Sequence, residues 1–408
     1  MKLAGPAYRQ WEDAVVLISI EEGRRRVLAA VHALDSEDVP LPEAHGRVLA
    51  EDLTSAVDVP PFDSSAMDGY ALVAGPAAEL EVIGESRAGH PFERALAPGL
   101  AVRISTGAAV PGGATAVIPV ERTSGANGDR VEVEETPEGA NIRRAGEDVR
   151  AGDVALARGA VLGPAELGVA ASVGRAELRC ARRPRVALLV TGDELVQPGR
   201  ALGPGQTYTS NGFALAAQIE EAGAELVLSD TVPDTAEATH AALARALETA
   251  DVLLASGGVS VGPHDHMKGA LRELGVEEHF WGVSLRPGKP TWFGVRERIL
   301  VFGLPGNPVS AMVTFQLFAR PALAALQGAD PAAHRASATL DEPVPRNPRR
   351  EEAVRVRLRH ADDGLHAVTT GEQGSHMLTS MLGADALALI APGDGEVRAG
   401  ESVEVQFL

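Results

Sequence analysis

Three apolar runs of strand length each end in a glycine-bearing turn with polar side chains of a kind that handles anions or hard cations. In the first, Asp251-Val252-Leu253-Leu254-Ala255 leads into Ser256-Gly257-Gly258-Val259-Ser260-Val261-Gly262, with Asp265 and Lys268 just beyond. Glycines at such a place let backbone approach a ligand closely and turn N–H groups towards an anion. In the second, Thr191-Gly192-Asp193-Glu194 follows the run 185–190. Two adjacent carboxylates at a strand end are natural ligands of Mg²⁺, although alone the stretch reads first as a helix N-cap with acidic first-turn residues. In the third, Leu304-Pro305-Gly306-Asn307-Pro308 opens a helix. A helix N-terminus after Gly-Asn is an anion site, and Pro308 near the first turn is also plain helix chemistry.

Cations stand nearby. In Ser284-Leu285-Arg286-Pro287-Gly288-Lys289-Pro290-Thr291 two prolines stiffen a loop that displays Arg286 and Lys289. Arg forks onto an oxyanion and Lys offers a point charge; a solvated basic turn is an equal reading. Earlier in the chain, Asp68 precedes Gly69, Thr106 precedes Gly107, and Asp148 ends Asn141-Ile142-Arg143-Arg144-Ala145-Gly146-Glu147-Asp148. Alone these are a turn pair, a strand end and a solvated charge run.

Some chemistries are disfavoured. The loop at Arg286 lacks Walker A spacing, and no dinucleotide-type G-x-G-x-x-G is present. Gly258-Val259-Ser260-Val261-Gly262 spells G-x-S-x-G, but Ser260 stands too far beyond the apolar run to be a nucleophile elbow, and it reads as a loop hydroxyl. His264 and His266 flank Asp265 without a third ligand in sight, so zinc is a minority reading.

The elements that position these residues follow from periodicity. Residues 184–328 alternate buried-strand runs (185–190, 224–229, 252–255, 299–304) with helical segments (211–222, 236–249, 266–274, 309–326, the last interrupted at Pro321), which predicts a doubly wound, mostly parallel α/β sheet. Ligands bind at the carboxyl ends of such strands. Residues 51–145 carry short β runs punctuated by Pro and Gly and read as an inserted β-rich domain. Residues 1–50 and 146–183 read as a mixed N-terminal domain, with Ser19 and Glu22 in capping-box spacing. Residues 329–408 return to short strands and suggest a small β-barrel.

At 408 residues, 45% apolar and 23% charged, the chain is globular and multidomain. A net charge of −19 makes nucleic acid or an anionic membrane surface an unsuitable partner. The single cysteine, Cys180, fits a reducing compartment. The N-terminus lacks signal-peptide character, and a cytoplasmic location is expected.

Taken together, PPFDSSAMDGYA (60–71), RISTGAAVP (103–111), NIRRAGEDV (141–149), LLVTGDEL (188–195), SGGVSVGPHD (256–265), RPGKP (286–290) and GLPGNPVSA (303–311) closely resemble the molybdopterin molybdenumtransferase family, the MoeA-like proteins that include the gephyrin E domain. The order of these segments runs through nearly the whole chain. The resemblance implies four domains and a homodimer, with the active site between the α/β domain of one subunit and the inserted domain of the other. It implies insertion of molybdenum from molybdate into adenylylated molybdopterin with release of AMP, and a need for Mg²⁺ or another divalent cation. It implies catalytic roles for Asp68, Asp148, Glu194 and Asp265, with Glu194 and Asp265 holding the metal. Thr106, Asp234, Ser256, Gly257, Gly258, Ser260, Arg286, Lys289, Pro305, Asn307 and Pro308 would bind substrate. The family often has Lys where Arg286 stands, so charge is kept while geometry changes. A molybdopterin adenylyltransferase and molybdoenzyme apoproteins are the partners implied. The competing expectations are that the chain is itself a molybdopterin adenylyltransferase, or a non-catalytic dimeric scaffold of the gephyrin type.

Overall fold

The computed structural model describes residues 16–125, 129–258 and 266–408, and its contacts divide the chain into two compact units. One comprises Asp38–His45 and Glu51–Cys180; the other comprises Met1–Glu37, Gly46–Ala50 and Ala181–Leu408. This division is coarser than the one drawn from sequence, and it places 51–145 and 146–180 in the same unit.

The smaller unit is built on a six-stranded sheet in the order Ala116–Pro119, Gly69–Leu72, Leu100–Ile104, Ala78–Ser86, Arg130–Val133, Thr123–Ser124. Side chains alternate across it, so Tyr70 and Leu72 enter one apolar cluster with Leu80, Ile118 and Val131, and Ala71 enters another with Ile104 and Val117. Gly69 does not serve as a turn residue. It starts a central strand, and a Cβ there would stand 1.9 Å from the Ile118 carbonyl oxygen. Only glycine lets the neighbouring strand approach so closely.

The larger unit carries the α/β sheet. Its strands are β1 (Arg185–Thr191), β2 (Glu225–Val232), β3 (Val252–Ser256), β4 (Glu277–Trp281), β5 (Trp292–Arg296) and β6 (Ile299–Leu304), in the order β2-β1-β3-β6-β5-β4. The first four are parallel, β5 runs antiparallel to β6, and β4 runs antiparallel to β5, in the direction of the first four. Val186, Leu188 and Val190 point into one cluster and Ala187 and Leu189 into the other. Each face needs a helical cover. On the first face this comes from α1 (Ile20–Ala29), α2 (Asn211–Glu221) and the run from 308 to 326. On the second it comes from α3 (Ala236–Thr249) and α4 (Met267–Glu273).

α1 starts at Ser19, whose Oγ accepts from the Glu22 N–H at 3.1 Å. Glu22 does not complete a capping box; its carboxylate takes Arg25 at 2.8 Å and Arg26 at 2.6 Å instead. The final helical run consists of α5 (Pro308–Thr314), a π-type turn over Phe315–Ala319 and α6 (Arg320–Leu326). The interruption expected at Pro321 therefore lies just upstream of it. Pro321 has no N–H for the Leu317 carbonyl, and Arg24 Nε donates to that oxygen at 3.3 Å. Pro308–Leu326 is apolar and long enough to cross a membrane, yet it is 78% buried within the chain as a core helix.

The remaining strands, Arg335–Leu340, Glu351–Ala361, Gly364–Thr369, Ala386–Ile390 and Ser402–Phe407, form a sheet in which Glu351–Ala361 pairs with both Gly364–Thr369 and Ala386–Ile390, so the sheet closes on itself. Val354, Val356, Ala367, Ala388 and Val405 fill it. Leu285–Arg286 pairs in parallel with Glu351 and Glu352 of this barrel.

Candidate functional site

The α/β sheet has one place where strand order reverses. From β1 the chain goes to one side to make β2, then crosses to the other side to make β3. A crevice opens beyond the carboxyl ends of the two strands at such a point. Here those ends are Thr191 and Ser256, and the backbone beyond them is tightly folded. Gly257 has φ +92° and Gly258 φ +65°; a Cβ on Gly257 would lie 2.7 Å from the Thr191 carbonyl oxygen, and one on Gly258 would lie 3.2 Å from Thr191 Oγ1.

A buried hydrogen-bond network joins three loops at this point. Asn211, the first residue of α2, donates from Nδ2 to Ser256 Oγ at 2.9 Å and to the Gly306 carbonyl at 2.8 Å. Ser256, 1% exposed, passes its own proton to the Pro305 carbonyl at 3.3 Å. Around this network three buried oxygens, Thr191 Oγ1, Thr209 Oγ1 and Asn211 Oδ1, have no partner among the described residues. Buried polar atoms are nearly always satisfied. Three orphans buried beneath a switch-point crevice leave polar atoms for a ligand, or water held with it, to satisfy.

The acidic residues lie at the same sheet edge. Glu194 is exposed, and its carboxylate takes no ion-pair partner among the described residues. Asp193 Oδ1 accepts from the Asp234 N–H at 3.0 Å, which ties the turn after β1 to the turn after β2. Asp265 and Ser260 lie outside the described residues. Among those described, no three His, Cys, Asp or Glu side chains are grouped as a metal cage. Lys268 lies over the Trp281 ring at 4.0 Å and so does not face the glycine turn as an open cation.

In the loop carrying the cations, Arg286 is exposed and pairs with Glu352 of the barrel at 3.0 Å. It is thus a cation already matched within the chain. Lys289 is half-buried three residues on. Pro305 is buried, Pro308 occupies the first turn of α5, and Asn307 Nδ2 donates to Ser375 Oγ at 3.3 Å. Arg286 and the fully buried Arg355 both line a cavity of about 380 Å³. Arg355 has no carboxylate partner among the described residues: Ser380 Oγ and two backbone carbonyls take its protons, and burial lowers its guanidinium to about 10.

In the smaller unit the structure brings Asp68 and Thr106 together. Asp68 Oδ1 accepts from the Thr106 N–H at 2.7 Å and from its hydroxyl at 3.1 Å. Both residues are exposed, so the carboxylate is oriented while its second oxygen remains open to a ligand. Asp148 is exposed and its N–H donates to the Val59 carbonyl at 3.0 Å.

Sequence reasoning missed Thr191, Thr209, Asn211, Ser375 and Arg355. From sequence, Asn211 reads only as the first residue of a helical segment, and Arg355 only as part of a short strand whose charged pattern, Arg355-Val356-Arg357, gives no sign of burial. A signal for Asn211 did exist: it lies at the start of the first helix after β1, where anions bind in such sheets.

Three family models match the chain in order: MoeA N-terminal region (domain I and II) over residues 18–174, probable molybdopterin binding domain over 187–325, and MoeA C-terminal region (domain IV) over 337–408. The chain is 37% identical over 400 residues to a molybdopterin molybdenumtransferase of Haemophilus influenzae, covering 96% of this chain and 98% of that one. It is 38% identical over 403 residues to molybdopterin molybdenumtransferase 2 of Mycobacterium tuberculosis, covering 95% and 98%. The crystal structure of a molybdopterin biosynthesis MoeA protein from Pyrococcus horikoshii OT3 superposes with a TM-score of 0.82 at 30% identity, covering 96% of this chain and all of that one.

Proposed function

The chain belongs to the molybdopterin molybdenumtransferase family, and from that premise we propose that it completes molybdenum cofactor synthesis by inserting molybdenum from molybdate into adenylylated molybdopterin, with release of AMP. The observation that carries this is the switch-point crevice with its three orphaned buried oxygens, within the stretch that matches the molybdopterin-binding family model. A pterin bearing a pyrophosphate supplies the donors and acceptors such a surface lacks. N–H groups of the glycine turn after β3 would take phosphate oxygens, and Lys289 would take further negative charge.

A divalent cation is part of the proposal. Glu194 and Asp265 would hold it, with Mg²⁺ the natural choice because both are hard oxygen donors. The exposed carboxylate of Glu194, without an ion-pair partner among the described residues, fits that role. When bound, such an ion polarises a pyrophosphate and offsets the repulsion between two anionic substrates. Asp68, held by Thr106, would orient water or an oxyanion. Assembly as a homodimer, exchange with a molybdopterin adenylyltransferase and molybdoenzyme apoproteins, and a cytoplasmic location complete the proposal; a single cysteine, the buried Cys180, suits a reducing compartment.

The test is AMP release from adenylylated molybdopterin by the purified protein with Mg²⁺, with and without molybdate. Release that requires molybdate supports the proposal. ATP consumption in the absence of molybdate would instead identify an adenylyltransferase. A protein that binds the substrate but never turns it over would be a scaffold.

A further inference from the structure

We propose that Asn211 is a positioning residue for the reaction, a latch that fixes the distance between the turn after β3 and the turn after β6. The inference rests on the functional reading above. The two turns form opposite walls of the crevice, carrying Ser256, Gly257 and Gly258 on one side and Pro305, Asn307 and Pro308 on the other. They approach closely: a Cβ on Gly306 would come within 3.8 Å of the Gly257 Cα. Among the described residues, backbone bonding between them amounts to the Gly257 N–H on the Leu304 carbonyl at 3.2 Å. The Ser256 hydroxyl adds one bond to the Pro305 carbonyl at 3.3 Å, and Asn211, on a third element, holds both turns at once.

The chemistry requires this side chain. The Gly306 carbonyl can only accept, so Nδ2 must face it, and the amide orientation follows from the network. One proton of Nδ2 goes to Gly306 and the other to Ser256 Oγ, which is thereby committed to donate onwards to the Pro305 carbonyl. No other side chain of this size offers two donors to two acceptors from one nitrogen. Aspartate has the same shape but sets a carboxylate oxygen against a carbonyl oxygen. Alanine leaves the Gly306 carbonyl and the buried Ser256 hydroxyl without their donor. Asn211 itself is 8% exposed and sits below the walls, so it acts through them.

The experiment compares Asn211→Ala, Asn211→Asp and Ser256→Ala with the wild type, reading KM and kcat for molybdate-dependent AMP release together with thermal unfolding. Both Asn211 variants should raise KM for adenylylated molybdopterin about tenfold, with kcat within about twofold, because the walls bind the substrate and a small misplacement is costly. Ser256→Ala, which keeps the Asn211–Gly306 bond, should raise KM by less. If one Asn211 variant does not fold, the other still decides. Lower thermal stability with unchanged KM would make Asn211 merely structural and overturn the inference, and a fall in kcat alone would overturn it too. A wild type that releases no AMP defeats the functional reading, whereas an active wild type matched by its Asn211 variants defeats only the latch.

Discussion

Asp68 shows how a single carboxylate is prepared for work. One oxygen takes both bonds from Thr106, the backbone N–H at 2.7 Å and the hydroxyl at 3.1 Å, and the group remains exposed. Asparagine can present its amide oxygen to the same two donors, so Asp68→Asn keeps the geometry and removes the charge. We expect thermal stability close to wild type and a fall of at least tenfold in kcat/KM for molybdate-dependent AMP release. Wild-type activity in this variant would mean the carboxylate has no part in the chemistry. Single-residue chemistry was the part of this site most open to reading from sequence, because glycine turns and paired acids stand at strand ends in fixed order. The ion pair between Arg286 and Glu352 was not open to such reading: it joins residues 66 positions apart, and only the pairing of two strands brings them face to face.

Among the elements, the parallel core of the α/β sheet could be read as continuous apolar runs because both of its faces are covered. β4 and β5 could not. Glu277-Glu278-His279 at the start of β4 lies at the sheet edge, where one side meets water and charge is tolerated. The closed C-terminal sheet has its own weak element, the seam between Arg335–Leu340 and Gly364–Thr369. It pairs only Thr339 with His366 and Leu340 with Ala367, against six pairs between Glu351–Ala361 and Gly364–Thr369. A side-chain clamp spans that seam. His366 Nδ1 lies 2.8 Å from Asp341 Oδ1, and Nε2 lies 2.8 Å from Asp363 Oδ1. Arg359 adds two bonds of 2.8 Å to Asp341 and lies 3.3 Å from His366 Nδ1. Two carboxylates on one ring call for two ring protons, and bonding to Asp341 and then Asp363 raises the His366 pKa above its ordinary 6.5. Arg359, followed by His366, holds Asp341 down at about 2. A raised histidine stabilises the fold fully below its unfolded pKa, and that contribution is lost as pH climbs through the folded value. Thermal stability should therefore decline from about pH 6 upwards through neutrality, and His366→Gln should flatten that decline. An equal slope in the variant would place the pH dependence elsewhere.

For the molecule as a whole, the net charge of −19 opposes both proposed substrates. At low ionic strength that field reaches well beyond the crevice, and at about 0.15 M salt it is screened within about 8 Å. At fixed Mg²⁺, KM for adenylylated molybdopterin should fall two- to threefold on going from about 20 mM to about 150 mM KCl. A KM that rises over this range would mean that the local cations outweigh the overall charge.

The stretch that leads to Lys289 is a strand of the barrel. Leu285–Arg286 is hydrogen-bonded to Glu351 and Glu352, and α1 is braced from the same side, with Arg24 reaching Glu404 and Gln406 at 3.1 Å each and the Ile20 N–H donating to Glu351 at 2.8 Å. The last seventy or so residues are thus no detachable appendage. Damage in that region, far along the chain from any glycine turn, should surface first as an enzyme that grips its substrate poorly, and only later as one that melts early.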